Sequence, residues 1–131
     1  MEWYWNQPNT PHVADFVKRY AAANKGEYPT ARAWFGFATT HAIRLAVEKA
    51  KSLETAKVVK AMEGLVLPPE IALQPGNVFY RPQDHQLMLG MFPGHVIQTG
   101  KYPNLFDVSA IVPGEKIALP PSETGCVLPR A

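Results

Sequence analysis

Proline divides this chain into two unequal kinds of segment. Ten of the thirteen prolines lie after residue 65, and proline inside a helix removes a hydrogen bond and clashes with the preceding turn. Long helices are therefore confined to the first half. The second half is left with turns, short strands and extended chain.

In the first half, Thr30 to Ser52 is the longest stretch that reads as one amphipathic helix. Phe35, Ala38, Ala42, Leu45 and Ala46 recur at spacings of three and four and share a face. Trp34, Phe37 and Ile43 widen that stripe, so this helix is predicted to pack on more than one side, with shorter elements laid against it. Thr30 is its expected N-cap, and Arg44 and Glu48, four apart, can pair. An earlier helix is predicted to start at Thr10-Pro11, with Val13, Phe16, Val17, Tyr20 and Ala21 as its one apolar face. Lys25-Gly26 would end it. A third helix is expected after a Ser52 cap, burying Val58, Val59 and Met62 and stopping at Gly64.

Beyond residue 65 the strand candidates are short. They are Asn77 to Tyr80 after the Pro75-Gly76 turn, Gln86 to Met91, His95 to Ile97, and Phe106 to Val112. Residues 114–131 lack periodicity and read as an extended surface tail. Three helices and a few short strands, without a βαβ series, do not close an α/β domain by themselves. The strands need partners. The N-terminal Trp3, Tyr4 and Trp5 also want burial, as at the end of a strand that begins inside a structure.

A chain of 131 residues with 47% apolar content suits one domain with its own core. The net charge is only +2 and Lys and Arg are scattered, which points away from nucleic acid. Apolar runs are too short for a membrane span. No secretory signal opens the sequence, so as written the chain would stay in the cytoplasm. Cys126 is the single cysteine. It is either an exposed thiol or the partner of a cysteine on another segment.

No catalytic constellation emerges. His12, His41, His85 and His95 have no metal-ligand spacing, and His41 reads as a satisfied core or boundary histidine. Asp84-His85 fits a turn better than an acid–base pair. His95, Asp107 and Ser109 could be drawn as a triad, but no nucleophile elbow supports one. No phosphate-binding glycine loop is present. These residues predict a protein that is not an enzyme and uses no cofactor or metal.

Five stretches in order resemble the C-terminal portion of the leucine-binding-protein family. They are Trp3-Tyr4-Trp5 ahead of the Phe16-Val17 and Tyr20 helix; Pro29 ahead of Trp34-Phe35-Gly36-Phe37; the VVKAMEG stretch from Val58 to Gly64; Gly76-Asn77-Val78 with Arg81 to Gln86; and Pro113-Gly114-Glu115 with Pro120 to Cys126. Phe37 departs from the tyrosine more usual in the family. These relatives are substrate-binding components of branched-chain amino-acid ABC transporters. The resemblance implies an α/β chain forming, over residues 1–131, the incomplete C-terminal part of a two-lobed type I periplasmic binding fold. It also implies a periplasmic setting, a small amino-acid or carboxylic-acid ligand, and an ABC permease as partner.

Most of the family's ligand clamp would lie upstream of the matched portion. The resemblance places Arg32, followed by Trp34, at a side-chain contact near the start of the central helix. An arginine there could pair with the carboxylate of an aromatic or dicarboxylic acid. The plainer reading is a solvent-exposed Arg32 and a core Trp34. Against the solute-binding reading stands a small autonomous interaction module, in which three helices and a hairpin form their own core and the tail meets a partner.

Overall fold

The computed structural model describes residues 1–7, 9–126 and 128. Helix α1 spans Val13–Ala23, α2 Ala31–Ala50, α3 Thr55–Met62 and the single-turn α4 Pro69–Ala72. Four short strands follow: β1 Phe79–Tyr80, β2 Leu87–Met88, β3 Gly94–Val96 and β4 Phe106–Val108. Two 3-10 turns, Gly114–Lys116 and Pro121–Glu123, punctuate the C-terminal segment. Among the described residues, no helix is long and apolar enough to cross a membrane.

Helix α2 is the packing axis that the sequence predicts. The Thr30 hydroxyl accepts from the Ala33 N–H and caps it, and Arg44 pairs with Glu48 at 2.6 Å. Trp34, Ala38, Ala42 and Ala46 are fully buried along one edge, where small side chains let neighbouring backbones approach. Ile43 departs from the expected stripe. It is 48% exposed, on a flank that no described element covers.

The other helices begin later than their capping residues suggest. α1 starts at Val13 behind a left-handed His12 (φ 65°), not at Thr10-Pro11. The incoming chain is fixed where Gln7 donates to the Leu73 carbonyl, and a turn is needed before Val13, Phe16 and Val17 can face the core. The C-terminal end behaves as predicted: Lys25 and Gly26 take positive φ, and the Gly26 N–H closes on the Ala21 carbonyl. Ser52 accepts from the Glu54 N–H rather than entering the helix, and Glu54 is the N-cap of α3. α3 presents a different edge from the predicted one. Ala61 is its buried residue, Val58 and Met62 are half-buried, and Val59 is exposed. The small Ala61 permits close approach to α2, and Lys49 reaches across to its carbonyl at 2.9 Å.

The strands pair as two antiparallel hairpins. Phe79 faces Met88 and Tyr80 faces Leu87 in the first, and a Val66–Phe79 bridge adds residue 66 at its edge. In the second, Gly94, His95 and Val96 face Val108, Asp107 and Phe106, extended by a Met91–Val112 bridge. Gly94 is required there, because a Cβ would collide with the Asp107 carbonyl and the Phe106 ring. The turn of the first hairpin is held by Arg81, whose guanidinium grips Asp84 and also reaches Gln86 and the Leu119 carbonyl. That last contact pins the C-terminal segment. Cys126 is an exposed free thiol.

The core gathers Trp3, Val13, Phe16, Trp34, Leu73 and Val78, with Leu67 and Ile71 from the α4 region. Its polar spine is Leu73, left-handed at φ 46°, whose carbonyl accepts from both Trp3 Nε1 (2.8 Å) and Gln7 Nε2 (3.1 Å). Gln74 next to it is buried too. It donates to the Glu2 carbonyl and accepts from the Gly90 N–H, tying the N-terminal segment to the strand region.

Candidate ligand-binding site

The N-terminal aromatics find the burial that the sequence demands. Trp3 is 1% exposed, stacks parallel to Trp34 at 6.3 Å between ring centroids, and meets Phe16 edge-on. Trp5 meets Tyr28 at 4.6 Å. Tyr4 packs on Phe106 and hydrogen-bonds the Pro103 carbonyl at 3.4 Å. Together these rings leave a cleft of about 350 Å³ at the start of α2, walled by Trp3, Tyr4, Trp5, Tyr28, Pro29 and Tyr102, with Thr30 and Ala31 at its floor.

Among the described residues, larger hollows include one of about 570 Å³ along α1 and one of about 460 Å³ beside Pro75-Gly76. The smaller cleft is the stronger candidate because aromatic rings converge there on a helix N-terminus. Aromatic walls offer large apolar contact, and the first-turn N–H groups of a helix favour a negative charge.

Arg32 lies in that first turn and is exposed. Its guanidinium sits 5.9 Å from the Phe35 ring centroid. No acidic residue occupies the first turn of α2, but neither Arg32 nor Trp34, the two residues singled out from the sequence, is among the residues lining the cleft. Trp34 lies one layer below. It is 0% exposed, its Nε1 has no hydrogen-bond partner, and it supports the cleft through its stack on Trp3.

Sequence reasoning did not find the far wall. Tyr102, Pro103 and Leu105 come from the β3–β4 connection and face Tyr28 across the cleft. Aromatic content alone marks Tyr102 as a contact residue, but nothing local says what it touches. Its hydroxyl accepts from the Tyr28 N–H at 2.8 Å and donates to Glu27 Oε2 at 2.7 Å. The Tyr28 donation lowers the Tyr102 pKa, but Glu27 and burial outweigh it, so the phenol is held above its ordinary value.

The polar residues considered for chemistry are scattered. His95 and Asp107 are cross-strand partners with Nε2 and Oδ2 3.7 Å apart, both well exposed on the second hairpin. Asp84 is engaged by Arg81, and His85 Nε2 lies 3.3 Å from Glu63 Oε1, so the pair forms a structural turn as the sequence suggests. His41 corrects its expectation: Nδ1 is buried without a hydrogen-bond partner, while the ring packs on Phe37 at 4.5 Å. Among the described residues, no group of three His, Cys, Asp or Glu side chains could hold a metal ion.

The sequence model of the family described as "Periplasmic binding protein" matches residues 1–101. Two crystal structures share the fold. One is a periplasmic binding protein from Burkholderia mallei, 22% identical, with a TM-score of 0.73 over 88% of this chain. The other is an ABC-type branched-chain amino acid transporter from Rhodopseudomonas palustris, 26% identical, with a TM-score of 0.70 over 90% of this chain. The chain spans 29% and 31% of their lengths. The mixed α/β architecture is thus part of a larger periplasmic binding fold, as the sequence resemblance implies. Comparison with curated protein sequences gives no match.

Proposed function

The chain belongs to the periplasmic binding protein family, and from that premise we propose that it is the C-terminal part of the solute-binding component of an ABC importer. Its ligands are branched-chain amino acids or related small carboxylic acids. The observation that carries this reading is the aromatic cleft at the start of α2, with Arg32 in the adjoining first turn. Arg32 would take a ligand carboxylate in a two-pronged, charge-assisted pair, while the cleft receives the apolar side chain. Trp34 holds Trp3 in place beneath it.

In the intact protein, two lobes close on the ligand by a hinge motion and present it to a membrane permease from the periplasm. The role is binding, not catalysis. With 29% and 31% of the related structures' lengths covered, this chain supplies the aromatic cleft and the remainder of the two-lobed protein supplies the rest of the site.

The test is to read the coding sequence upstream, express the joined polypeptide, and measure its melting midpoint with leucine, phenylalanine, glutamate and benzoate. A ligand that binds only the folded state raises the midpoint, and Arg32→Ala should abolish the rise. A sharp, ligand-blind melt of the 131-residue chain, with no βαβ coding sequence upstream, would sink the proposal in favour of the autonomous interaction module.

A further inference from the structure

The far wall of the aromatic cleft is attached differently from the near one. Trp3 and the start of α2 are held by buried packing and by the bond from Trp3 Nε1 to Leu73. The β3–β4 connection, residues 97–105, is instead a surface loop that turns back on itself. Its ends are tied by the Ile97 N–H to the Leu105 carbonyl, and its inner bonds are short-range: Gly100 N–H to the Ile97 carbonyl, Asn104 N–H to Lys101, and Leu105 N–H to Pro103. Its polar ties to the other side of the cleft are few. Tyr102 bridges Tyr28 and Glu27, and Tyr4 reaches the Pro103 carbonyl. The Tyr102 ring also stands edge-on to Tyr28 at 6.1 Å.

We propose that the 97–105 loop is a lid on the aromatic cleft, latched by the Tyr102 hydroxyl, and that Tyr102 positions this lid for an aromatic or branched apolar ligand group. The inference rests on the cleft being the ligand site. Residues 102, 103 and 105 form one wall of the 350 Å³ space, yet Tyr102 is 58% and Leu105 44% exposed. A wall so exposed is fixed by its hydrogen bonds more than by burial, and exposed hydrogen bonds open at small free-energy cost. One oxygen serves both directions of the latch: it takes the Tyr28 N–H and gives its proton to Glu27. Removing that oxygen removes both bonds and leaves the ring that lines the cleft.

Two measurements on the joined polypeptide and its Tyr102→Phe variant separate the possible failures. Amide hydrogen exchange without ligand reads the latch. Tyr102→Phe should speed exchange at Tyr28 and across residues 100–105 about three- to ten-fold, the size expected for losing about one net hydrogen bond. The melting midpoint should barely change. Glu27→Gln, which keeps an acceptor for the hydroxyl, should stay near wild type. Titration with sodium benzoate at millimolar concentrations, followed through the indole resonances of Trp3 and Trp5, reads the cleft. It should bind the Phe variant more weakly by a similar factor. Unchanged exchange at Tyr28 and residues 100–105 in Tyr102→Phe would overturn the latch, and unchanged benzoate affinity despite faster exchange would overturn the lid's part in binding. No indole response to benzoate in the wild-type joined polypeptide would overturn the cleft itself as the ligand site.

Discussion

The Leu73 carbonyl allows a stability measurement that tests the core rather than the site. It accepts two buried hydrogen bonds, from Trp3 Nε1 and Gln7 Nε2, so either donor alone keeps it satisfied. Trp3→Phe loses one bond, about 1 kcal/mol, and the outer part of a ring that stacks on Trp34 and abuts Phe16, about 1–2 kcal/mol more. Gln7→Met also loses a bond, but it removes the buried Gln7 Oε1, which has no partner and costs about 1–3 kcal/mol as it stands. That single change should therefore be near neutral or mildly stabilising. Combining the two strands the Leu73 carbonyl in the core, adding about 1–3 kcal/mol beyond the sum of the singles. Urea unfolding followed by circular dichroism on the four proteins measures this coupling. Additivity within about 0.5 kcal/mol would refute the shared-acceptor reasoning.

Other predictions follow from single contacts. Arg32→Ala should leave the urea midpoint of the chain almost unchanged, because its side chain is exposed, while weakening benzoate binding about ten-fold in the titration described above. Asp84 is held below the ordinary carboxylate range chiefly by its hydrogen bonds from Arg81, against an opposing effect of burial and with help from the Gln86 N–H. A carboxylate with a depressed folded pKa stabilises above its unfolded value and loses that contribution as pH falls through the folded one. Acid melts should therefore show a stability loss beginning below about pH 4 that Asp84→Asn flattens. Glu63, lowered mainly by Lys60 and then by His85, contributes with the same sign. Gly94→Ala drives a methyl group into the Asp107 carbonyl and to within 2.7 Å of the Phe106 ring. It should cost about 1–3 kcal/mol and increase exchange of the β3–β4 amides before those of α2.

How far the sequence carries depends on whether an element's determinants lie within it. Helix α2 was legible because cap, periodicity and i,i+4 pair all sit inside residues 30–50. α3 was found, but its buried edge was misjudged. Over eight residues Val58, Val59, Ala61 and Met62 form a broad apolar arc opposite Lys57 and Lys60, and the choice of Ala61 within it belongs to α2, which asks for a small neighbour. The α1 start failed for a related reason. Thr10-Pro11 has good cap chemistry, yet the angle at which the chain arrives is set by Gln7 bonding Leu73, a contact between residues 66 positions apart. The strands were located because glycine and proline bracket them, but two end early: the Gln86 to Met91 candidate stops at Met88 and the Phe106 to Val112 candidate at Val108. Their pairing into two hairpins came from neighbours along the chain, which is the cheapest loop to close.

The candidate site divides along the same line. Its near wall could be anticipated: three aromatics at an N-terminus cannot stay in water, and a capped helix start beside them is a place for charge. Its far wall could not. Tyr102 meets Tyr28 and Glu27 across 74 and 75 positions, through a loop whose own sequence specifies a turn and nothing more. A loop of this kind is positioned by the hairpin that carries it, so its contacts follow from the β3–β4 register, where Val96 faces Phe106. A register slip of one residue would turn each side chain to the opposite face and carry Tyr102 away from Tyr28. The steric lock at Gly94 is thus upstream of the cleft: the glycine that lets β4 approach β3 also sets where Tyr102 arrives. Gly94→Ala and Tyr102→Phe should consequently open the same Tyr28 amide to exchange, the first with loss of hairpin protection and the second without it.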